Sequence, residues 1–423
     1  MNVLVIGRGG REHAICRKLS ESQAVRQVFV APGNPGMEDV ATLVTIQEHE
    51  QEQLIQFAKE NEIALTVVGP EVPLLEGLVN RFQEEDLVAF GPRKEAAIIE
   101  GSKSFAKELM KKYKIPTADY AVFSNYEEAS AYLEEKGAPI VIKADGLAAG
   151  KGVTVAMTMD EARKSLKEML LNEQFGHASS TVVMEEFLTG EEISLMAFVN
   201  GETVVPLEIA QDHKRAYDGD LGPNTGGMGA YSPVPHISDA IVRTAVETIL
   251  QPTAKALVQE GREFGGVLYA GLIITEAGPK VIEFNARFGD PETQVILPRM
   301  KSDLAEVMLA VVRGERPEII WDEQVMLGVV AASVGYPEQY RKGAVLEGLQ
   351  EISSDVYVFH AGTDINRAKE FITNGGRVLL AGAKAKTLQE AQEKVYDELR
   401  KINCAGIFYR KDIGYKAIGH AVY

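Results

Sequence analysis

Short apolar runs alternate with polar, helix-forming stretches over the first 100 residues. The runs VLVIG, QVFVA, LTVVG and VAFG indicate strands, and helices are expected from about Arg11, across EQEQLIQFAKENE and near Leu74. This alternation is typical of βαβ units, whose strands lie parallel in one sheet. Because ligands bind at the carboxyl ends of such strands, we expect a binding site at the turns GRGG, APGN and GPEVP.

The length and charge of the chain limit what it can be. Its 423 residues are enough for about three domains. The formal net charge of −17 argues against general binding to nucleic acid or to an anionic membrane, since both require a basic face. Two distant cysteines exclude a disulfide framework, no signal peptide is recognisable, and the longest apolar run, Val325 to Ala332, is too short to span a bilayer. We therefore expect a cytoplasmic protein with no membrane and no nucleic-acid partner.

Changes in composition divide the chain into three blocks. Residues 1–101 form the predicted N-terminal α/β domain, residues 102–318 a central α+β domain, and residues 319–423 a small C-terminal α+β domain, with GERPEIIWDE marking the second boundary. Residues 210–235 show neither helical nor strand periodicity. A loop of that length inside a compact domain is usually functional, so we expect part of the site there.

The glycine-rich turn GRGGREH follows the first strand and opens a helix, where backbone N–H groups can bind an anion. The dinucleotide-binding fingerprint requires a glycine where Glu12 stands and an acidic residue about twenty positions later, and the chain has APGN there instead. Three interpretations stay open. They are a phosphate-bearing ligand, which Arg8 and Arg11 would suit, a tight turn without a ligand, and a nicotinamide or flavin site.

The segment PIVIKADGLAAGKG combines a strand, a glycine-rich loop and two lysines. Lys143 ends the strand, Lys151 lies in the loop, and a second strand follows. The glycines allow backbone N–H groups to close over phosphates, which the lysines would neutralise. It is not a Walker A loop, because GxxxxGK[ST] is absent and no helix follows. Taken alone, the segment also fits a hairpin with two surface lysines.

Two later segments carry carboxylates at the ends of strands. VVMEEFLTGEEIS leads an apolar strand into an extended linker, which offers backbone groups for an adenine edge and a carboxylate for ribose hydroxyls. In KVIEFNARFGDPETQ, Glu283, Asn285 and Arg287 alternate, so a continuing strand would place them on one face. A carboxylate and an amide oxygen suit Mg²⁺ or Mn²⁺, and an arginine suits a carboxylate or a phosphoryl group. An exposed polar strand face is the alternative.

These motifs, in this order and spacing, resemble the ATP-grasp superfamily and, within it, the glycinamide ribonucleotide synthetase family. The resemblance spans essentially the whole chain and rests most on QDHKRAYDGDLGPNTGGMGAYSP and RFGDPETQ, with GRGGREHA, APGNPG, EGSKSFAK and RKDIG in support. It implies an N-terminal domain, a central ATP-grasp domain with a mobile lid at about residues 117–190, and a C-terminal domain that packs back on the N-terminal one.

The resemblance also implies a reaction of purine biosynthesis. Glycine's carboxylate would attack the γ-phosphate of ATP to form glycyl phosphate, and the amine of 5-phosphoribosylamine would then displace phosphate, giving glycinamide ribonucleotide. No enzyme nucleophile is needed. The implied partners are ATP, glycine and 5-phosphoribosylamine, the implied cofactor is Mg²⁺ or Mn²⁺, and the protein would act as a monomer or homodimer. Because the sequence stops at Tyr423, we expect no fused second enzyme.

The functional residues of the family carry over to matching positions. The residues implied at ATP are Lys103, Lys143, Gly146, Gly150, Lys151, Gly152, Glu185, Phe187, Leu188 and Glu192. The implied metal ligands are Glu283 and Asn285, and the residues given catalytic roles are Arg287, Asp212 and Asp290. The residues implied at glycine and 5-phosphoribosylamine are Gly9, Gly10, Arg11, Asn34, Glu71, His213, Lys214, Arg215, Asn224, Thr225 and Gly226.

One position departs from the superfamily pattern, which commonly places a second metal-binding carboxylate near the end of the strand before ExN. Here that strand reads IITE, so either Glu276 serves in a shifted register or the metal relies on Glu283 and Asn285 alone. We favour the second arrangement. The competing hypotheses are an ATP-grasp carboxylating enzyme that uses bicarbonate, a dinucleotide-dependent oxidoreductase, and a nucleotide-binding regulator without activity.

Overall fold

The computed structural model of the chain describes residues 1–147, 152–172 and 180–419. It confirms the expected fold class, with an N-terminal α/β unit on a parallel sheet, a central region with two antiparallel sheets, and a C-terminal α+β unit. Among the described residues, no helix combines the length and the apolar character needed to cross a bilayer.

The N-terminal unit is a parallel sheet in the order β3-β2-β1-β4-β5. Its elements are β1 (Asn2–Gly7), α1 (Gly10–Ser20), β2 (Gln27–Pro32), β3 (Thr42–Leu43), α2 (Gln51–Glu60), β4 (Ile63–Val68), α3 (Glu71–Leu75), α4 (Leu78–Glu84), β5 (Ala89–Phe90) and α5 (Lys94–Gly101). β1 is buried at every position, as its apolar run predicts for a central strand. The strand order reverses between β1 and β4, so the turns after these two strands lie side by side.

The central region contains a small sheet, β6-β9-β7-β8, and a larger one, β11-β10-β16-β17. The elements of the region's first half are α6 (Lys103–Tyr113), β6 (Tyr120–Phe123), α7 (Tyr126–Lys136), β7 (Ile140–Ala144), β8 (Val153–Ala156), α8 (Met159–Leu166), β9 (Val182–Glu186), β10 (Glu191–Asn200) and β11 (Thr203–Pro206). The small sheet has its own hydrophobic cluster with α7 and α8. Residues 187–190 join the two sheets, and a cleft lies between them.

The second half of the central region leads into the C-terminal unit. Its elements are β12 (Gln211–Asp212), β13 (Arg215–Tyr217), β14 (Leu221–Asn224), β15 (Gly229–Ser232), α9 (Asp239–Ala245), α10 (Gln251–Gln259), β16 (Gly265–Thr275), β17 (Gly278–Asn285), α11 (Glu292–Ile296) and α12 (Leu304–Val312). The C-terminal elements are β18 (Val325–Ser333), β19 (Val356–His360), β20 (Thr363–Ile365), β21 (Phe371–Thr373), β22 (Arg377–Ala385), α13 (Leu388–Leu399), β23 (Ile407–Phe408) and α14 (Tyr415–Ile418).

The expectation that residues 210–235 have no regular structure is wrong. The segment contains β12, β13, β14 and β15, and β15 is fully buried as a strand of the C-terminal sheet, whose order is β12-β15-β18-β22-β19. β15 pairs antiparallel with β18, so Gly229 lies opposite Val329. The local sequence could not show this strand, because its hydrogen-bond partner lies far along the chain. As a result, one sheet contains strands from both the predicted central and C-terminal blocks.

The C-terminal unit packs back on the N-terminal one through two buried histidines. Nδ1 of His13, on α1, accepts a hydrogen bond of 2.9 Å from the backbone N–H of His360, at the end of β19, and the two rings stack 5.9 Å apart. Asn34 donates from Nδ2 to the carbonyls of His360 at 3.2 Å and Arg8 at 2.7 Å. These bonds tie the first two strand-ending turns to β19.

We predict that the unfolding free energy of His360→Gln falls less steeply on acidification than that of the wild type. Burial, reinforced by His13, lowers the pKa of His360 to about 3. In the unfolded state His360 has its ordinary pKa of about 6.5 and binds a proton below that pH, whereas in the folded state it does not. This histidine therefore makes folding less favourable as the pH falls. Removing it should reduce the slope of the unfolding free energy between about pH 5 and pH 6 by about 1 kcal/mol per pH unit.

Urea unfolding of the wild type and the variant across this pH range measures that slope. The exposed His49→Gln is the matched control, since it removes a histidine outside the interface. Equal slopes in wild type and His360→Gln would contradict the prediction.

Candidate active site

The cleft between the two central sheets has a volume of about 850 Å³ and is lined by all three units of the chain. Most predicted site residues lie on its walls. They are Arg11, Glu71, Lys103, Lys143, Gly152, Glu185, Phe187, Leu188, Glu192, Asp212, His213, Lys214, Arg215, Asn224, Thr225, Gly226, Glu283, Asn285, Arg287 and Asp290. Gly9, Gly10, Asn34 and Gly146 are described but are not on these walls, and Gly150 and Lys151 lie outside the described residues.

Two lysines meet at one end of the cleft. Lys103 begins α6, whose first turn is capped by Ser102, and its Nζ donates to the carbonyl of Gly146 at 3.1 Å. Lys143 is the next-to-last residue of β7, and its Nζ donates to the carbonyl of Ile282 at 2.8 Å. Burial lowers the pKa of Lys103, and the charge of Lys143 lowers it further. Two lysines that line one cleft, with one of them at a helix N-terminus, form a site suited to a phosphate chain.

Glu185 lies between Lys143 and a third lysine that the sequence analysis missed. Oε2 of Glu185 is 2.9 Å from Nζ of Lys107, and Oε1 is 2.8 Å from Nζ of Lys143, an ion pair rather than a well-aligned hydrogen bond. Lys107 also donates to Oγ1 of Thr117 at 2.7 Å. Burial lowers its pKa to about 8, although Glu185 opposes the shift. Its spacing of four from Lys103 places both lysines on one face of α6, a signal that could have identified it.

The linker between the sheets contributes apolar and acidic groups to the same wall. Phe187 and Leu188 follow β9 and line the cleft. Glu192, on β10, is half exposed, and its Oε2 lies 3.5 Å from Nζ of Lys214. The cleft is therefore apolar beside the linker and charged beyond it, as a nucleotide base with its ribose would require.

Glu283 and Asn285 lie on β17 and line the cleft together. Burial raises the pKa of Glu283, but Lys214, Lys143 and Lys103 outweigh it, so the pKa lies below its ordinary value. An ionised carboxylate beside an amide oxygen fits a hard divalent cation. Glu276 is exposed in the turn after β16, at the far end of the hairpin from Glu283, which pairs with Gly271. No group of three or more acidic, histidine or cysteine side chains placed to hold a metal occurs in the described part of the chain.

Arg287 is held between two carboxylates. Its Nε lies 3.3 Å from Oε2 of Glu71, and its Nη2 lies 3.0 Å from Oε1 of Glu100 and 3.3 Å from Oδ1 of Asn285. Burial opposes its charge, but Glu100 and Glu71 outweigh this and raise its pKa above the ordinary value. Glu100, at the end of α5, was missed by the sequence analysis, because nothing in KEAAIIEG distinguishes it from a surface glutamate. The guanidinium is thus fixed in place and permanently charged.

Two carboxyl groups, the partly buried Asp212 and the buried Glu292, lie near Lys214. Oδ1 of Asp212 is buried without a hydrogen-bond partner, and burial followed by the charge of Glu292 raises the pKa of Asp212 well above its ordinary value. Glu292, which the sequence analysis also missed, accepts hydrogen bonds from Tyr269 at 2.6 Å and Ser194 at 2.8 Å. Burial disfavours the charge of Lys214, but the nearby carboxylates raise its pKa overall. A carboxyl group with a raised pKa is suited to exchanging a proton near neutral pH.

Residues 212–226, called the substrate loop below, are held by the C-terminal unit. The backbone N–H of Gly226 donates to the hydroxyl of Tyr336 at 3.0 Å, and its carbonyl accepts from Nη1 of Arg377 at 2.7 Å. Nη2 of Arg377 also lies 3.2 Å from Oδ2 of Asp290. Within the loop, Thr225 donates from Oγ1 to the carbonyl of Lys214 at 2.8 Å. Arg377, in the segment TNGGRVL, is a further cleft residue that the sequence analysis did not single out.

The remaining substrate-loop candidates use part of their polar groups inside the protein. Nη1 of Arg215 donates to the carbonyl of Gly222 at 2.8 Å. The backbone of Arg215 pairs with Asn224 across the β13–β14 hairpin. Nε2 of His213 accepts from the backbone N–H of Gly414 at 3.0 Å. His213 therefore presents its ring to the C-terminal segment.

The glycine-rich turn after β1 is filled by the side chain of Glu12. A Cβ on Gly7 or Gly69 would come within 2.6 Å of the Glu12 carboxylate group, and the backbone N–H of Gly9 donates to Glu12 Oε2 at 2.7 Å. Arg11 pairs with the other oxygen at 2.5 Å and donates to the carbonyl of Phe288. These glycines therefore make room for a carboxylate of the chain itself. Binding of 5-phosphoribosylamine by Gly9, Gly10, Arg11, Asn34 and Glu71 stays a prediction.

Two antiparallel sheets that enclose paired lysines, an ionised carboxylate–amide pair and a fixed arginine define an ATP-grasp enzyme. Family models of phosphoribosylglycinamide synthetase match successive parts of the chain, with the N domain over residues 1–100, the ATP-grasp (A) domain over residues 101–293 and the C domain over residues 326–416. The chain belongs to this family, the phosphoribosylamine–glycine ligases. The resemblance stated from the motifs is thereby confirmed.

Individual relatives agree with this assignment. The phosphoribosylamine–glycine ligase of Halalkalibacterium halodurans is 62% identical over 418 residues, which cover 99% of this chain and 97% of that protein. The crystal structure of phosphoribosylamine–glycine ligase from Thermotoga maritima has a TM-score of 0.86 at 34% identity, covering 98% of this chain and 100% of that one. Biotin carboxylase from Campylobacter jejuni, at 17% identity and a TM-score of 0.74 over 97% and 93% of the two chains, shares the fold alone.

We predict that Lys107→Met destabilises the protein by about 3 kcal/mol, because it leaves the buried Glu185 with one cation instead of two. Urea unfolding followed by circular dichroism measures the change. Lys112→Met on the same helix is the matched control, since Lys112 is exposed and its partner Glu260 lies at the surface. The prediction fails if both variants lose the same small amount of stability.

Proposed function

We propose that the chain ligates glycine to 5-phosphoribosylamine at the expense of ATP, giving glycinamide ribonucleotide, ADP and phosphate. Family membership over nearly the whole chain supports this reaction. The observation that carries the assignment is the cleft itself, where Lys103 and Lys143 face Glu283, Asn285 and Arg287. Such a site combines the charges that a transferring phosphoryl group needs with an acyl-phosphate-binding arginine.

In the first step, a carboxylate oxygen of glycine attacks the γ-phosphorus of ATP, and the bond from that phosphorus to the bridging oxygen of ADP breaks. The products are glycyl phosphate and ADP. Because a carboxylate and a polyanion repel each other, the main task of the site is to neutralise charge. Lys103 and Lys143 do so at the phosphates, and Arg287 does so at the acyl phosphate that forms.

The residues present fit a divalent cation, and Glu283 and Asn285 are the ones that would hold it. We propose Mg²⁺ or Mn²⁺, since both prefer oxygen ligands and are commonly shared with phosphates. When bound, the ion neutralises phosphate charge and favours transfer of the phosphoryl group.

In the second step, the amine of 5-phosphoribosylamine attacks the carbonyl carbon of glycyl phosphate. The amide bond forms, phosphate leaves with the electron pair of the broken C–O bond, and the nitrogen loses a proton. Asp212 is better suited than Asp290 to accept that proton. The pKa of Asp212 is raised, whereas at Asp290 burial is outweighed by Arg377 and Arg11, which lower the pKa.

An acyl phosphate must be kept from water until the amine arrives. The small sheet with α7 and α8 lies within the predicted lid, residues 117–190, and residues 187–190 connect it to the rest of the chain. We propose that closure of this unit over the cleft excludes water. All the groups invoked come from one chain, so a monomer would suffice, and a homodimer is equally compatible. We propose that the protein acts in the cytoplasm.

The purified protein should release ADP only when ATP, glycine, 5-phosphoribosylamine and a divalent cation are all present. A coupled assay for ADP, with each component omitted in turn, measures this. ADP release that is unaffected by omitting glycine would exclude the ligase. Labelled bicarbonate entering the product in place of labelled glycine would instead indicate the carboxylating alternative.

We further predict that Lys143→Met and Glu283→Gln each lower kcat on the order of a hundredfold or more. Lys143→Met removes a cation that neutralises the phosphates, and Glu283→Gln removes a charged ligand of the divalent cation that does the same. Steady-state kinetics at saturating substrates measures kcat, and circular dichroism reports whether the variants fold. Lys136→Met, at an exposed position of the small unit, and Glu202→Gln, in the exposed turn after β10, are the matched controls. Near-normal kcat in either site variant would contradict these roles.

A further inference from the structure

The segment Arg410–Lys416, called the C-terminal strap below, lies against residues 218–220, the tip of the substrate loop. It comprises the sequence motif RKDIG and the first two residues of α14, for which the proposed reaction has no role. Its first residue, Arg410, is the largest side chain in the described chain that is almost fully buried, with 1% of the residue exposed. A buried guanidinium at the periphery of the fold requires an explanation, because its desolvation is costly unless every donor is used.

Arg410 uses its donors on two different segments. Nε and Nη2 donate to Oδ1 and Oδ2 of Asp412 in the strap, each at 2.8 Å. Nη1 donates to Oδ1 of Asp220 at 2.8 Å and to the backbone carbonyl of Arg215 at 3.1 Å, both in the substrate loop. The planar fork therefore binds one carboxylate with two bonds and reaches the loop with its remaining group, a geometry that lysine cannot reproduce.

Three further bonds join the strap to the same loop tip. The backbone N–H of Gly219 donates to Oδ2 of Asp412 at 2.8 Å, and the hydroxyl of Tyr415 donates to Oδ2 of Asp220 at 2.7 Å. The backbone N–H of Lys411 donates to Oδ1 of Asp218 at 2.7 Å. The tip of the loop is thus held by backbone and side-chain bonds to a segment about 190 residues away.

A separate contact reaches the loop at His213, which lines the cleft as Asp220 does. The backbone N–H of Gly414 donates to Nε2 of His213, and the His213 ring lies 5.8 Å from the ring of Tyr415. In the sequence His213 lies between Asp212 and Lys214, which line the cleft together with Glu292. The strap therefore contacts the loop both at its tip and at His213.

We propose that the C-terminal strap positions the substrate loop for the ligase reaction, with Arg410 as the central positioning residue. This inference rests on the proposed function and adds a specific role for the end of the C-terminal unit. Arg410 does not reach the reacting atoms. It acts through Asp220 and the carbonyl of Arg215, and a loop displaced by about 1 Å can cost a hundredfold in rate even when no catalytic group is lost.

The test compares Arg410→Lys, Asp220→Asn and Tyr415→Phe with the control Arg400→Lys. Arg400 lies in the same unit and forms an exposed ion pair with Asp397, away from the loop. For each variant, kcat/KM for glycine, the affinity for a nonhydrolysable ATP analogue by calorimetry, and the melting temperature are measured. Asp220 is one-third exposed, so Asp220→Asn and Tyr415→Phe keep the test valid if Arg410→Lys does not fold.

We expect kcat/KM for glycine to fall by about tenfold or more in Arg410→Lys and Asp220→Asn, while the affinity for the ATP analogue stays within about twofold of the wild type. Tyr415→Phe should show a smaller loss in the same direction, and Arg400→Lys none. A lower melting temperature with unchanged kcat/KM for glycine would overturn the proposal. Equal losses of kcat/KM for glycine and of affinity for the ATP analogue would also overturn it. Failure of the proposed function is distinct, since wild-type protein would then show no glycine-dependent ADP release.

Discussion

The pairing of buried cations with carboxylates is the constraint on which the rest of this structure depends. Lys107 and Lys143 share Glu185, and Arg287 lies between two glutamates from the N-terminal unit. A charge of this kind placed alone in the interior would be too costly to keep, whereas a partner of opposite charge offsets the cost of desolvation and fixes the side chain in place. The cleft can therefore present positive charge without a ligand to stabilise it.

This arrangement explains how an acidic chain can serve polyanionic ligands. The net charge of −17 is a property of the whole sequence, while the cleft gathers its cations at the positions where phosphates would lie. Because these cations are already oriented, they need little reorganisation when the phosphoryl group is transferred from ATP to glycine. Asp212 and Asp290 have opposite pKa shifts. Burial and the charge of Glu292 raise the pKa of Asp212, whereas at Asp290 the effect of burial is outweighed by Arg377 and Arg11, which lower the pKa. Two similar carboxylates thus become suited to different tasks.

The substrate loop shows that the units of the sequence are not independent in space. β15 belongs to a sheet made mainly by C-terminal strands, and Arg377 from that unit contacts both Gly226 and Asp290. Arg410, also from the C-terminal unit, binds Asp220 at the tip of the loop. The C-terminal unit is consequently part of the site. It also packs against the N-terminal unit through His13 and His360.

Local patterns in the sequence determined the elements and the main chemical groups. The apolar runs VLVIG and PIVI form the predicted strands β1 and β7, and the predicted Lys143, Glu283 and Arg287 line one cleft. Only the tertiary structure decided which charges are paired. Lys107 pairs with Glu185, and Arg377 contacts Gly226 and Asp290, all of them distant in the sequence. β15 shows no strand period, and its hydrogen-bond partner β18 is also distant. Periodicity records which face of an element is apolar, but it does not record which partner meets that face after folding.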